Sequence, residues 1–113
     1  MVDKSIFEMI LDKEIESEII YEDEDIFSIE DINPAAKVHL LIIPKKRINT
    51  INDLEDRDGD LIGKMVLVAK KLAKEYGVEE SGYRLIWNTN KDAGQTIFHI
   101  HLHLLGGEEL RTF

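Results

Sequence analysis

The chain has 113 residues, no cysteine and a formal net charge of -9, which together exclude a disulfide framework, a thiolate zinc site and a cysteine nucleophile. Acidic residues outnumber basic ones by 23 to 14, which argues against broad binding to a nucleic-acid backbone but permits a small anionic ligand in one pocket. The length suffices for one hydrophobic core, so we expect a single domain over residues 1–113.

The N-terminal residues show no export signal. Met1 to Ser5 lead directly into a mixed polar and apolar segment, without the long apolar stretch of a secretory signal peptide. No uninterrupted apolar run elsewhere approaches the length of a transmembrane helix. We therefore expect a cytoplasmic protein that has no membrane partner.

The first predicted elements are a short helix and a hairpin. Ser5 and Glu8 have the spacing of a capping box, and apolar residues follow at helical intervals that predict a core-facing side. Two short β-prone runs, 19–21 and 26–31, flank the acidic turn 22–25 and predict an antiparallel hairpin. The apolar residues of the helix are Ile6, Phe7 and Ile10.

Asp31 ends the second predicted strand and has two interpretations. It lies on the same side of the strand as Phe27 and Ile29, so a carboxylate closes an apolar row and is a candidate anchor for a ligand. It also begins Asp31-Ile-Asn-Pro34, in which Asn and Pro are typical turn residues. The pattern supports both interpretations equally.

A central strand and a long helix follow. Residues 38–43 are strongly β-prone and end at Pro44, which predicts a central strand with His39 near its start. Apolar residues recur at intervals of three and four within 53–76, and Gly77 follows, which predicts a helix that covers one face of a sheet. A further strand over 83–88 and a turn-rich segment over 89–94 complete this part.

The last element contains three of the four histidines. His99, His101 and His103 alternate with apolar residues, a period of two that predicts a strand with one imidazole face and one hydrocarbon face. Buried imidazoles each need a hydrogen-bond partner, so we interpret this face as a functional site. The order of elements, with tight connections between neighbouring strands, favours an α+β fold with a mostly antiparallel sheet.

Three interpretations of the histidines compete. Metal binding is one, but the α-carbons of His99 and His103 would lie roughly 13 Å apart, whereas each ligand nitrogen must come within about 2.0 to 2.1 Å of zinc. One ion therefore cannot hold all three, although two of them with His39 remain possible ligands. Nucleophilic catalysis is the second, because flanking histidines and the hydroxyl of Thr96 suit the tasks of fixing a tautomer and meeting developing charge. The third is a structural role on a half-exposed sheet.

The motifs resemble a known family. The segment 99–105 is similar to the His-φ-His-φ-His-φ-φ signature of the histidine triad (HIT) superfamily, where φ is apolar. Gly94-Gln-Thr and Gly106-Gly resemble its Hint branch, the purine nucleoside phosphoramidases. Further matching segments occur in family order, namely Ile6-Phe7, Asp31-Ile-Asn-Pro34, His39-Leu-Leu-Ile-Ile-Pro-Lys-Lys46, Tyr83-Arg84 and Asn88.

The resemblance implies a fold and a reaction. The fold is a single HIT domain with a five-stranded antiparallel sheet and two helices, dimerising with a second subunit into a ten-stranded sheet. The reaction is hydrolysis of purine nucleoside 5′-phosphoramidates or aminoacyl-adenylates to the nucleoside monophosphate, in which His101 attacks the α-phosphorus and water then releases the nucleotide. The expected ligand is a purine nucleotide of the AMP or GMP type, with no cofactor and no metal.

The resemblance also implies a role for each site residue. The carbonyl of His99 would orient His101, while His103 would hydrogen-bond phosphate and leaving-group oxygens. His39 would support the triad from the adjacent strand. Asp31 would bind the ribose hydroxyls. The polar shell around the phosphate would comprise Asn88, Gln95 and Thr96, and the purine pocket would draw on Ile6, Phe7, Ile10, Ile15, Ile29, Ile32 and Leu41.

Two departures from the Hint pattern concern the leaving group. Thr96 stands where serine is usual, which keeps the hydroxyl but restricts its rotamers. The tail 108–113 lacks the Trp-Pro-Pro ending of the best-known members. The alternatives are a dinucleoside polyphosphate hydrolase of the same superfamily, against which Leu105-Gly-Gly107 argues, and a nucleotide-binding adaptor whose hydrolysis is incidental.

Overall fold

The computed structural model describes residues 3–113, and these form two α-helices, five strands and three short 3-10 helices. The α-helices are α1 (Ile6–Leu11) and α2 (Gly59–Glu75). The strands are β1 (Tyr21–Glu22), β2 (Ile26–Glu30), β3 (Val38–Pro44), β4 (Tyr83–Ile86) and β5 (Leu102–Gly106). The 3-10 helices are Ile51–Asp53, Asp56–Asp58 and Lys91–Ala93.

The strands form one antiparallel sheet in the order β1-β2-β3-β5-β4. The predicted α+β fold with a five-stranded antiparallel sheet and two helices is confirmed, and β3 is the central strand as expected. Within residues 3–113, neither helix is long and apolar enough to cross a membrane.

The predicted capping box at the start of α1 is present. The backbone N–H of Glu8 donates to Oγ of Ser5 at 3.1 Å, and the Glu8 carboxylate accepts the backbone N–H of Ser5 at 2.9 Å. Phe7 and Ile10 are buried as expected, but Ile6 is 40% exposed, so its assignment to the core is wrong. Ile6 lies at the first turn, beyond the edge of the stripe that faces the sheet.

The long helix begins later than the start of the predicted segment. Residues 51–58 fold as two short 3-10 turns, and α2 then runs from Gly59 and buries Met65, Val68 and Leu72. It ends before Gly77, which adopts a φ of 74° that favours glycine.

Each face of the sheet packs against one helix. The side chains of Leu40 and Ile42 on β3, with Leu102 and Leu104 on β5, belong to the cluster that packs on α2. A second cluster joins α1 to the opposite face through Phe7, Ile10, Phe27, Ile29, Leu41 and Ile43. The alternation of side chains along β3 therefore separates two apolar layers.

The histidine stretch is only partly a strand. β5 begins at Leu102, so His103 lies in the sheet, opposite Leu41 of β3 and Ile86 of β4, while His99 and His101 precede it. The expectation of three histidines on one strand is therefore wrong. The neighbouring strand β3 ends at Pro44, which has no N–H to continue the ladder, and Ile100 instead donates its backbone N–H to the carbonyl of Ile48 at 2.8 Å.

Candidate active site

A cavity of about 400 Å³ opens on the α1 side of the sheet. It collects residues from α1, from the loops after α1 and β2, from β3, and from the chain leading into β5. The lining residues are Ile6, Phe7, Ile10, Ile15, Glu16, Ser17, Asp31, Ile32, Asn33, Leu41, Asn88, Gly94, Thr96, Ile97, His101 and His103. One half is apolar and the other is polar, as expected of a site for a small molecule with a flat apolar part and a charged part.

The apolar half is built mainly by α1 and the segment after it. Ile6, Phe7 and Ile10 project from successive positions of the short helix, and Ile15 follows in the loop. Ile32 lies at the rim, where 84% of the residue is exposed. A ligand that covers Ile32 would remove this apolar surface from water, which is favourable in proportion to the area covered.

The partners of His101 fix its tautomer. Nδ1 of His101 lies 2.8 Å from the carbonyl oxygen of His99, which can only accept a hydrogen bond, so Nδ1 carries the ring proton. Burial lowers the pKa of His101 and favours the neutral ring. Nε2 of the neutral ring is therefore unprotonated and able to act as a nucleophile.

A chain of three groups fixes the tautomer of His103. The backbone N–H of Ala35 donates to Nδ1 of His39 at 2.9 Å, so the proton of neutral His39 is on Nε2. Nε2 of His39 is 2.9 Å from Nδ1 of His103, which must therefore accept a hydrogen bond from Nε2–H of His39. The proton of neutral His103 is consequently on Nε2. Nε2 of His103 is therefore a donor, whereas Nε2 of His101 has a lone pair and no proton.

Nε2 of His103 is a buried donor to which no residue in 3–113 is hydrogen-bonded. Burial, together with the neighbouring His101 and His39, lowers the pKa of His103 to about 4, and the carboxylate of Asp31 only partly opposes this. The rings of His101 and His103 are 4.9 Å apart between centroids. A neutral nucleophile and a neutral N–H donor thus lie side by side in the wall of one cavity.

Asp31 stabilises the turn that its sequence context predicts, and it also lines the cavity. One carboxylate oxygen accepts the backbone N–H of Asn33 at 2.8 Å and so stabilises the turn. The other lies 3.4 Å from Nε2 of His39, and the residue also lines the cavity. The turn therefore fixes a carboxylate beside the histidines.

The chain matches the model of the HIT domain over residues 12–110. The chain belongs to the histidine triad (HIT) family. It is 46% identical over 110 residues to a purine nucleoside phosphoramidase of Escherichia coli strain K12, an alignment that covers 97% of this chain and 92% of that protein.

Solved HIT structures share the whole fold. A HIT family hydrolase from Legionella pneumophila Philadelphia 1 superposes with a TM-score of 0.93 at 47% identity, covering 96% of each chain. A HIT family hydrolase from Clostridium thermocellum gives a TM-score of 0.94 at 42% identity, covering 100% of this chain and 98% of that one. The resemblance seen in the sequence is confirmed for both family and fold.

Four predicted site residues of this HIT protein do not line the cavity: Gln95, Ile29, His39 and His99. Gln95 is 5% exposed, and its side-chain amide hydrogen-bonds the backbone of Asn90, Asn49 and Ile97. Its assignment to the shell around the phosphate is wrong, because both amide N–H groups are donated to backbone carbonyls and none is left for a phosphate oxygen. It stabilises the loop that carries Thr96.

The other three lie behind the cavity wall. Ile29 packs in the apolar cluster on α1 beside residues that line the cavity but does not line it itself, so its place in the purine pocket stays a prediction. His39 contacts the cavity wall through His103 and Asp31. His99 is fully buried and hydrogen-bonds Ser5 and the carbonyl of Pro44, so it contributes its backbone carbonyl, as expected, and not its ring.

The sequence interpretation missed five lining residues: Glu16, Ser17, Asn33, Gly94 and Ile97. Glu16 and Ser17 lie in an irregular segment where no periodicity signals a face. Asn33 and Gly94 occur in the turn motifs that were recognised, but only their neighbours were named. The signal for these two was therefore present in the motifs, but only some members of each motif were assigned to the site.

Within residues 3–113, one cluster of side chains could hold a metal ion. Asp31, His39 and His103 bring one ligand atom each within 4.8 Å of one another. A metal on Nε2 of His39 would require the proton to move to Nδ1, where it would face the N–H of Ala35. The observed hydrogen bond therefore favours the tautomer that does not bind a metal at this nitrogen.

Proposed function

We propose that this HIT protein is a nucleotide hydrolase that converts purine nucleoside 5′-phosphoramidates or aminoacyl-adenylates to the nucleoside monophosphate through a nucleotidyl group on His101. One observation carries the proposal: two adjacent imidazoles are held in opposite tautomers, one with a free lone pair and one with a free N–H. The similarity to a protein named purine nucleoside phosphoramidase supports the substrate class.

The substrate is proposed to lie across both halves of the cavity. The purine ring packs among the apolar side chains of α1 and against Ile32, where a flat ring gains most from burial. The ribose hydroxyls donate to the carboxylate of Asp31, a charge-assisted hydrogen bond. The phosphate then reaches His101 and His103, with Asn88 and Thr96 as further polar neighbours.

In the first step, the lone pair on Nε2 of His101 attacks the α-phosphorus. The bond between phosphorus and the leaving group breaks, and the leaving group departs with the electron pair and takes up a proton from the Thr96 hydroxyl or from solvent. Nε2–H of His103 donates to a phosphate oxygen as negative charge develops. Nδ1–H of His101 remains hydrogen-bonded to the carbonyl oxygen of His99 throughout, and this hydrogen bond stabilises the positive charge on the ring.

In the second step, water attacks the same phosphorus and the bond to Nε2 of His101 breaks. The electron pair returns to the nitrogen, and the proton released by the water goes to the Thr96 oxygen or to solvent, whichever supplied the leaving group in the first step. The nucleoside monophosphate leaves, and the original tautomer is restored. The two proposed steps use groups of the chain and water, with no cofactor and no metal.

We also propose that the whole chain acts as one HIT domain in a cytoplasmic homodimer. β4 lies at the edge of the sheet, its residues are half-buried, and β5 is its one strand partner within residues 3–113. Pairing of two subunits into a ten-stranded sheet would satisfy a free edge of this kind. Sedimentation velocity checks the state: a dimer is expected, and a monomer at micromolar concentration contradicts it.

The proposed activity is tested with a panel of substrates. The purified protein is incubated with adenosine and guanosine 5′-phosphoramidates, an aminoacyl-adenylate and a dinucleoside polyphosphate, and release of the monophosphate is followed by chromatography. Turnover of the first three is expected. His101→Ala should lower it by roughly 10³-fold or more, because the covalent route is lost, while the thermal midpoint stays near that of the wild type.

Three results would contradict the proposal in different ways. Near-normal turnover by His101→Ala excludes His101 as the nucleophile. Turnover of the dinucleoside polyphosphate alone assigns the protein to the other hydrolase class. Tight binding of nucleoside monophosphate with no turnover of any substrate supports an adaptor.

A further inference from the structure

The contact between Ser5 and His99 joins two parts of the chain that are distant in sequence. Oγ of Ser5 is 2.7 Å from Nδ1 of His99, and both residues are buried. The same hydroxyl accepts the backbone N–H of Glu8 at 3.1 Å as the N-cap of α1. One hydroxyl thus serves the short helix and the first histidine of the triad together.

The other partner of His99 sets the direction of this bond. Nε2 of His99 lies 2.7 Å from the carbonyl oxygen of Pro44, which can only accept, so Nε2 carries the ring proton. Burial lowers the pKa of His99, so the ring is neutral and Nδ1 is an acceptor. Ser5 therefore donates its hydroxyl proton to Nδ1, and the ring is held between α1 and the end of β3.

The held ring belongs to the residue that orients His101. The carbonyl of His99 accepts Nδ1–H of His101 at 2.8 Å, and this bond leaves Nε2 of His101 free. Phe7, in the first turn of α1, presents edge contacts to both rings, with centroids 5.5 Å from His99 and 5.1 Å from His101. The start of α1 thus holds His99 through two contacts, the hydrogen bond from Ser5 and the ring of Phe7.

We propose that Ser5 is a positioning residue for His101: its hydroxyl holds the ring of His99, and the carbonyl of His99 holds the attacking imidazole in the tautomer with a free Nε2. The inference rests on the proposed function, because it gives Ser5 this task only if His101 attacks. Ile6, Phe7 and Ile10 of the cavity wall also lie on α1. The same short helix therefore positions both the apolar wall and, through Ser5 and His99, the nucleophile.

Three substitutions separate this role from simple helix capping. Ser5→Ala removes the cap and the bond to His99 together. Ser5→Gly also removes the bond to His99 but keeps most of the capping stability, since glycine is an acceptable N-cap. Ser5→Thr keeps the hydroxyl for both tasks. Thr50→Ala is the matched control, because Thr50 is a buried N-cap hydroxyl with its own capping box and no histidine partner.

The expected results distinguish kcat from KM. With adenosine 5′-phosphoramidate, Ser5→Gly and Ser5→Ala should lower kcat by about tenfold, as expected for the loss of one orienting hydrogen bond, with KM changed less than about twofold. Ser5→Thr should restore kcat. Thr50→Ala should lower the thermal midpoint but leave kcat unchanged. Ser5→Gly decides the question if Ser5→Ala does not fold.

A second readout is independent of turnover. The ring nitrogens of ¹⁵N-labelled histidines report which nitrogen of His101 carries the proton, and His101→Ala assigns the signals. Ser5→Gly should convert a single Nδ1–H form of His101 into a mixture of tautomers. A kcat within about twofold of wild type together with an unchanged tautomer in Ser5→Gly overturns the proposal.

The two levels of inference fail in different ways. If the wild-type protein does not turn over any substrate, the proposed function fails, and the tautomer measurement still tests the link from Ser5 to His101. If the wild type is active and Ser5→Gly changes neither kcat nor the tautomer, the proposed function stands and Ser5 is only a helix cap.

Discussion

The two faces of the sheet differ in what covers them. The 17 residues of α2 span about 26 Å and lie along one face, whereas the six residues of α1 span only about 9 Å on the other. On β3, Leu40 and Ile42 point to α2 and become core, while His39 and Leu41 point to the α1 side, where Leu41 lines the cavity and His39 supports it. The area that α1 is too short to cover becomes the site.

Because of this difference, we expect that the stability of the fold and the rate of the reaction can be changed by separate substitutions. The α2 face is closed by hydrocarbon, so its residues contribute through packing and have no access to a ligand. The α1 face holds neutral imidazoles whose pKa values burial has lowered, and keeping them neutral makes folding sensitive to pH. Substitutions of the histidines on the α1 face should therefore lower activity more than stability, and substitutions on the α2 face should lower stability more than activity.

After His101→Ala, the largest expected effect on the α1 side is that of His103→Ala. Removing the free N–H donor should lower kcat for adenosine 5′-phosphoramidate by roughly 10²- to 10³-fold, the usual loss for a donor that meets developing charge. The thermal midpoint should change less than in a variant of the α2 face. Steady-state kinetics measures kcat and calorimetry measures the thermal midpoint. A kcat close to that of the wild type would show that His103 does not stabilise the developing charge.

Leu72→Ala tests the α2 face. Leu72 is fully buried against the sheet, so its truncation should lower the free energy of unfolding by about 2 to 5 kcal/mol. Activity per folded molecule should not change. Lys70→Ala, at an exposed position of the same helix, serves as control and should leave urea unfolding unchanged. A large loss of kcat in folded Leu72→Ala would mean that the two faces are not independent.

Asp31→Asn has a smaller expected effect, confined to binding. The asparagine oxygen can still accept the N–H of Asn33, but the charge offered to the ribose is lost, so KM should rise by about tenfold. Asp23→Asn is the matched control, because Asp23 accepts backbone N–H groups in the same way at the other end of β2 and does not line the cavity. Equal effects of the two substitutions would assign Asp31 to the turn alone.

The pH dependence of stability should be the smallest effect. The pKa of His103 falls from 6.5 in the unfolded chain to about 4 in the fold, so the unfolded state binds more protons between these values. Its contribution is complete above pH 6.5 and is lost as the pH falls toward about 4. Urea midpoints from about pH 7 to about pH 5 should decline, and His103→Gln should reduce this decline whereas Leu72→Ala should not.

The sequence predicted the fold where local signals and packing agreed. The capping box at Ser5, the apolar stripe of the long helix and the β-prone run before Pro44 each appear where expected. The sheet order could not be read from these signals, because it depends on pairing between distant segments. The family resemblance supplied the number of strands and helices, and the strand order came from the structure.

The site was predicted at the level of the motif and less well at the level of single residues. Alternation suggested one face with three equivalent imidazoles, but Pro44 ends the neighbouring strand and the chain before Leu102 leaves the sheet, so His99 turns inward. Gln95 has the same chemistry as a phosphate ligand, and only its three backbone partners reveal a structural role. The bond between Ser5 and His99 links segments that no periodic pattern connects.

The double glycine shows how a family signal can have a purely structural cause. A Cβ on Gly106 would lie 3.2 Å from Cβ of Val78 and 3.3 Å from the carbonyl oxygen of Gly82. Gly107 has a φ of 83°, which other residues rarely adopt. The motif therefore marks where the end of β5 passes close to the chain before β4, and neither glycine lines the cavity.

Nε2 of His101 should form a covalent bond to phosphorus during turnover, and mass spectrometry can detect it. Under single-turnover conditions with adenosine 5′-phosphoramidate, samples quenched in alkali are digested and their peptides are analysed by mass spectrometry. We expect an adenylyl group on His101 that appears before the monophosphate accumulates and that is absent from His101→Ala. Release of the monophosphate in the first turnover with no nucleotidyl group on His101, or with the group on another residue, would contradict it.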